Sequence, residues 1–169
     1  MMPMKKITLM SLLLLLCLSL SGCMLMGAMI LGGGNDSASK EKVFEYVKEN
    51  TEALSSFPYD AYGKLTNDEA KISFIQDTLG ADAIVKDVYR YSPSVLEFYC
   101  GGSGIVTSSV YSGFYYSRED EPYAFEFESE AQFTQISENV YEWQSEDQQR
   151  AIYTERIQTN WFWYRQVWD

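Results

Sequence analysis

A change of period at Gly80 predicts an α+β fold, with two N-terminal helices packed on one face of an antiparallel meander sheet of about five to seven strands. Before Gly80 the apolar residues recur at helical spacing, whereas after it β-branched and aromatic residues alternate with polar ones. Short polar segments at Ser92-Pro93, Ser117 to Pro122 and Ser145 to Gln148 separate the later apolar runs. They are too short for parallel crossovers, which need about a dozen residues or more, so neighbouring strands are expected to run antiparallel.

The first helix is expected over Lys40 to Leu54, with Ser39 as N-cap, Glu41 in the first turn and Val43, Phe44, Val47 and Leu54 as its apolar stripe. Ser55 to Gly63, containing Phe57-Pro58, reads as a loop. Thr66 with Glu69 three residues later forms a capping box for the second helix, and Leu65 is placed to staple onto Ala70. Phe74, Ile75 and Leu79 form its buried side, and Gly80 sits where a left-handed C-terminal cap belongs. The expected strands are Ile84 to Tyr91, Val95 to Cys100, Ile105 to Tyr116, Tyr123 to Glu128, Val140 to Gln144, Ala151 to Gln158 and Trp161 to Trp168. Tyr123, Phe125 and Phe127 alternate most cleanly with their neighbours, as in a sheet dry on one side.

Ahead of this domain, Lys5 and Lys6 precede the apolar run Leu12 to Leu20, which ends in Leu20-Ser21-Gly22-Cys23. The segment resembles the signal peptide and lipobox of bacterial lipoproteins. That resemblance implies cleavage by signal peptidase II before Cys23, and a thioether-linked diacylglycerol, often with a third amide-linked chain, on Cys23. Two or three acyl chains anchor a protein stably. The division expected is 1–22 signal peptide, 23–39 lipidated N-terminus and flexible tether, including Gly32-Gly33-Gly34, and 40–169 a single α+β domain. Because Met24 to Leu31 is also apolar, an uncleaved transmembrane helix remains a second reading. Both readings place the domain on the extracytoplasmic face of the cell membrane.

The 169-residue chain has 13 basic and 24 acidic residues and a net charge of −11; loss of Lys5 and Lys6 with the leader leaves 11 basic against 24 acidic, or −13. Such charge disfavours nucleic acid and anionic headgroups, and fits a neutral or cationic partner or a divalent metal ion. Histidine is absent, which excludes Ser-His and Cys-His nucleophile pairs and imidazole zinc sites. No metal or cofactor is expected. Of the three cysteines, Cys17 departs with the leader and Cys23 carries lipid, so Cys100 is expected as a buried thiol with no disulfide partner.

Chemistry in the domain therefore falls to carboxylates, tyrosines, serines and lysines. Thirteen tyrosines, nine phenylalanines and four tryptophans concentrate in the sheet half, and both faces of Trp161 to Trp168 carry rings. Trp161, Trp163, Tyr164 and Trp168 are the candidate ligand platform, since rings offer flat apolar faces to sugars or peptides. Gly101-Gly102-Ser103-Gly104 lacks the features of a phosphate loop or nucleophile elbow and reads as a flexible turn between strands. Arg118-Glu119-Asp120-Glu121 lacks EF-hand spacing and reads as a solvated hairpin tip. Glu97, Glu126, Glu142 and Glu155 fall on expected strands and are the acids a glycosidase-like carboxylate pair would draw on.

At Tyr111-Ser112-Gly113-Phe114-Tyr115-Tyr116-Ser117, Pro122 and Tyr153-Thr154-Glu155-Arg156-Ile157, the domain resembles small uncharacterised lipoproteins of Gram-positive bacteria. This implies location and no particular activity. The expected function is a non-enzymatic binding or interaction role at the cell envelope, with an envelope glycan or protein as partner. Two alternatives are an immunity or inhibitor lipoprotein facing a cationic secreted protein, and a carboxylate-dependent hydrolase of envelope glycans.

Overall fold

A computed structural model describes residues 38–105, 108–125 and 131–169. The leader, the lipobox with Cys23, the tether up to residue 37, Glu126 and the end of the expected strand Tyr123 to Glu128 lie outside the described residues.

Among the described residues four short helices come first: α1 (Lys40–Glu49), α2 (Thr51–Ser55), α3 (Tyr59–Tyr62) and α4 (Asp68–Leu79). The Lys42 amide donates to Ser39 Oγ at 3.3 Å, the cap the sequence suggests. Asn50 splits the expected first helix. Its backbone has φ −112°, and both its backbone N–H, at 3.0 Å, and its side-chain amide, at 2.8 Å, donate to the Tyr46 carbonyl where the helix stops. The expected loop Ser55 to Gly63 contains the single turn α3. At α4 the cap is Asn67 rather than Thr66: Asn67 Oδ1 accepts from the amides of Glu69 at 2.8 Å and Ala70 at 3.3 Å. An asparagine at that place reaches two orphan donors at once, so the start moves by one residue. Gly80 follows with φ 97°, the positive value glycine tolerates at a helix end.

Seven antiparallel strands follow: β1 (Asp87–Ser92), β2 (Val95–Ile105), β3 (Ser108–Ser117), β4 (Thr134–Ser137), β5 (Val140–Gln144), β6 (Arg150–Gln158) and β7 (Trp161–Trp168). Their order across the sheet is β1-β2-β3-β7-β6-β5-β4, with every neighbouring pair antiparallel. This corrects the single meander. Two meanders, β1 to β3 and β4 to β7, meet where β3 pairs with β7, so the chain leaving β3 must travel to the far edge before returning. The expected hairpin turn at Ser117 to Pro122 is the start of that connection.

Along the connection, Tyr123 and Ala124 are outside any strand and Phe125 has φ 55°. The alternation read as a strand therefore belongs, through Phe125, to a covering segment. Ala124 and Phe125 are buried against Tyr115, Phe162 and Tyr164. β4 was not foreseen, because its four residues are all exposed and only Ile136 among them is apolar. The glycine run is not a turn: Gly101 to Gly104 extends β2 beside β3, with a bulge at Tyr99/Gly101 and φ 124° at Gly101. Asp120 is likewise no solvated tip. It forms an ion pair with Arg156 and accepts from the Asn160 amide at 2.7 Å, while Asn160 Nδ2 donates to the carbonyls of Ser117 and Arg118. These bonds fasten the end of β3 to the β6–β7 turn.

Period-two alternation separates two buried clusters. The first gathers Val43, Val47, Leu54, Tyr62, Ile75 and Leu79 from the helices with Phe98, Cys100, Phe114 and Trp161 from the sheet. Phe98 and Phe114 stack at its centre, 4.9 Å apart and 8° from parallel. The second gathers Val95, Tyr115, Phe162 and Tyr164 with Ala124, Phe125, Trp143 and Ile152. Within it, Tyr115 and Phe162 stack at 5.2 Å, and the Tyr115 hydroxyl bonds both Thr154 Oγ1 at 2.9 Å and the Tyr123 amide at 3.1 Å. That hydroxyl holds the connection down on the sheet.

Candidate functional site

The four rings singled out in the last strand do not form one platform. Successive residues of β7 point to opposite faces. Trp161 joins the first cluster and is 2% exposed. Trp163 packs against the same cluster, with the Lys40 ammonium 5.4 Å from its ring centre. Tyr164 and Trp168 lie on the other face, where they line a groove of about 310 Å³ with Tyr89 and Tyr91 of β1, Glu97 and Tyr99 of β2, Tyr111 of β3 and Gln166 of β7.

Strand pairing builds this groove. Tyr89 lies opposite Glu97, Tyr99 opposite Gly113, Gly113 opposite Tyr164, and Tyr111 opposite Gln166. Side chains on one face of neighbouring strands meet, and here that rule collects rings from four strands. Glu97, Tyr164 and Gln166 are buried and make the floor. Tyr89 at 42%, Tyr91 at 39% and Trp168 at 37% exposure form the open rim. Tyr99 and Tyr111 sit between, 6.3 Å apart, and Tyr111 meets the edge of Trp168 at 5.8 Å.

Two glycines make room for the rings. A Cβ at Gly113 would stand 2.9 Å from Tyr164 Cε1, and one at Gly102 would stand 3.0 Å from Tyr111 Cδ1 and 3.1 Å from the Tyr99 hydroxyl. Only a residue without a side chain lets these rings lie across the strands.

The polar groups of the floor are arranged around Glu97. The Tyr164 hydroxyl donates to Glu97 Oε1, both groups being buried. Burial first, and then the Glu97 carboxylate, push the Tyr164 phenol well above its ordinary range. Tyr89 is also raised, chiefly by burial and then by its bond to Asp87 Oδ2 at 2.9 Å. These phenols stay protonated and act as donors at neutral pH. Cys100 belongs to the helix-side core, and burial raises its thiol, with the Glu97 charge as a second cause.

The other acids considered from sequence fall elsewhere. Glu155 pairs with Lys40, and it lies opposite Trp163 in the sheet. Glu142 lies opposite Tyr153, which lies opposite Arg165, on the Trp163 side. Glu97 is therefore the one acid lining the groove among the described residues. No group of three or more potential metal-ligating side chains occurs among the described residues, and no helix among them is long and apolar enough to cross a membrane.

Sequence reasoning placed Glu97 on a strand and named Tyr164 and Trp168, but missed Tyr89, Tyr91, Tyr99 and Tyr111 as their neighbours. The alternation of each strand carried the signal; the pairing of β3 with β7, which joins them, did not show in the local pattern.

Burial of phenols has a pH signature. Tyr115 and Tyr164 are raised above the ordinary value of 10.0, mainly by desolvation. Below that value both folded and unfolded chains hold these protons and the stabilisation is fully present. As pH rises through it the unfolded chain ionises first, so stability falls. A thermal melting series across the alkaline range is expected to show melting temperature dropping above about pH 10, with tyrosinate absorbance appearing together with unfolding. Tyrosinate appearing fully in a still-folded protein would contradict the burial of these rings.

Comparison of the chain with protein-family models, with curated proteins and with solved structures finds no match.

Proposed function

We propose that the chain is a lipid-anchored, extracytoplasmic binding protein whose non-enzymatic domain takes its ligand in the tyrosine-lined groove. The observation that carries this reading is the groove itself, in which six aromatic side chains from four strands surround a buried carboxylate. Ligand sites are concave and largely apolar, with a few placed polar groups, and run from about 300 Å³ upward, so this groove suits a small ligand or one residue of a larger one.

In this reading the helices cover the opposite sheet face, supported by the cluster that Val43, Val47 and Ile75 share with Phe98 and Phe114, and the groove face is left for binding. Cys23, with its acyl chains, tethers the domain to the membrane, and the envelope supplies the ligand.

Oxidative footprinting of the full chain in detergent micelles, with and without an extract of the cell envelope, tests the proposal. Tyr99, Tyr111 and Trp168 are expected to lose reactivity in the extract while the remote exposed Ile72 and Ile136 keep theirs. Unchanged reactivity of the groove rings would overturn it.

A further inference from the structure

The lining of the groove is selective in charge as well as shape. Its eight residues comprise five tyrosines, one tryptophan, Glu97 and Gln166, with no lysine or arginine among them. Ring faces carry negative potential and attract cations, most strongly where water is displaced. Glu97 is 5% exposed, so its charge acts through a poorly solvated floor rather than through bulk water. Both features favour the same ligand sign, and the net charge of −11 adds a long-range attraction for cations.

The Tyr164 hydroxyl donates to Glu97 and the Tyr89 hydroxyl donates to Asp87, which spends their protons and leaves both phenol oxygens as acceptors. An ammonium cation is held by ring faces and a nearby carboxylate. The rings of Tyr89, Tyr91, Tyr99, Tyr111 and Trp168 line several sides of a site whose volume, about 310 Å³, fits a small solute.

We infer that the groove recognises a small soluble molecule bearing an ammonium group, seated among Tyr99, Tyr111 and Trp168 with its charge over Glu97. This rests on the groove being the ligand site. The test is titration of the full chain in micelles with choline chloride and, separately, with 3,3-dimethylbutan-1-ol, which keeps the shape and loses the charge, followed by calorimetry. Choline is expected to bind at least about tenfold more tightly than the neutral isostere. Glu97→Gln, which keeps an acceptor for Tyr164, and Trp168→Ala, at the open rim, are each expected to weaken choline by about tenfold. Equal binding of the isostere, or full choline affinity in Glu97→Gln, overturns the charge selection while leaving the groove as a binding site. Choline binding untouched by Trp168→Ala removes the groove as well, and failure of choline to bind at all overturns the inference.

Discussion

Phe114→Ala is expected to destabilise the domain by about 3 to 5 kcal/mol, the range for removing a large ring from a packed core. Phe114 is fully buried, stacks on Phe98 at 4.9 Å, and lies 6.0 Å from Trp161 and 6.1 Å from Tyr46 of α1. It sits on β3, the strand that joins both meanders, so the cavity would open where the first cluster meets the centre of the sheet. Contacts on every side leave little freedom to collapse into the hole. Urea unfolding checks this through a lowered midpoint at unchanged slope. A loss below about 1 kcal/mol would mean that the helix-side cluster is not the core it is taken to be.

Gly113→Ala is the second large effect, and it links stability to the groove. A Cβ there would lie 2.3 Å from the Phe98 carbonyl oxygen and 2.9 Å from Tyr164 Cε1. The first contact is with backbone, which has no flexible end to swing away. β2 and β3 must separate locally, and the Tyr164 ring must leave the floor and its bond to Glu97. Forced overpacking of this kind costs about 1 to 3 kcal/mol and sometimes more. Ser112→Ala, one residue earlier, is the control: Ser112 is buried, but its hydroxyl makes only a long contact of 3.4 Å to the Gly101 carbonyl. It is expected to change stability by less than about 1 kcal/mol. Equal stability of the two variants would contradict the close approach at Gly113.

What was legible in the sequence follows from what each signal measures. Ser39 and the position of Gly80 at the helix end were read correctly because caps are local chemistry, settled by the few residues around them, although Gly80, at φ 97° and ψ 156°, lies outside the left-handed helical conformation expected of it. The last three strands were placed within a residue or so, because Val140 to Gln144, Ala151 to Gln158 and Trp161 to Trp168 each carry their own alternation and turn residues. Strand order was not local. Nothing in Ser108 to Ser117 says that its second neighbour is Trp161 to Trp168 rather than the next strand along the chain. For the same reason Tyr123 to Phe125 was misread: its rings alternate in sequence as a strand's do, but the segment lies over the sheet with Ala124 and Phe125 both buried and a positive φ at Phe125.

The site shows the same division. Tyr164 and Trp168 were singled out together with Trp161 and Trp163 because all four lie in one ring-rich segment. Period two sends the first pair to the groove and the second to the helix-side cluster. Tyr99 and Tyr111, which complete the groove, come from other strands and become neighbours only through β2–β3 pairing around Gly102 and Gly113.

The groove as ligand site is tested most directly by the residue pattern of oxidative footprinting on the envelope-bound full chain. Protection concentrated on Tyr99, Tyr111 and Trp168, with Ile72 of α4 and Ile136 of β4 still fully reactive, is the result expected. Protection of Ile72 or Ile136 with those three rings unchanged would contradict it and move the binding surface elsewhere on the domain.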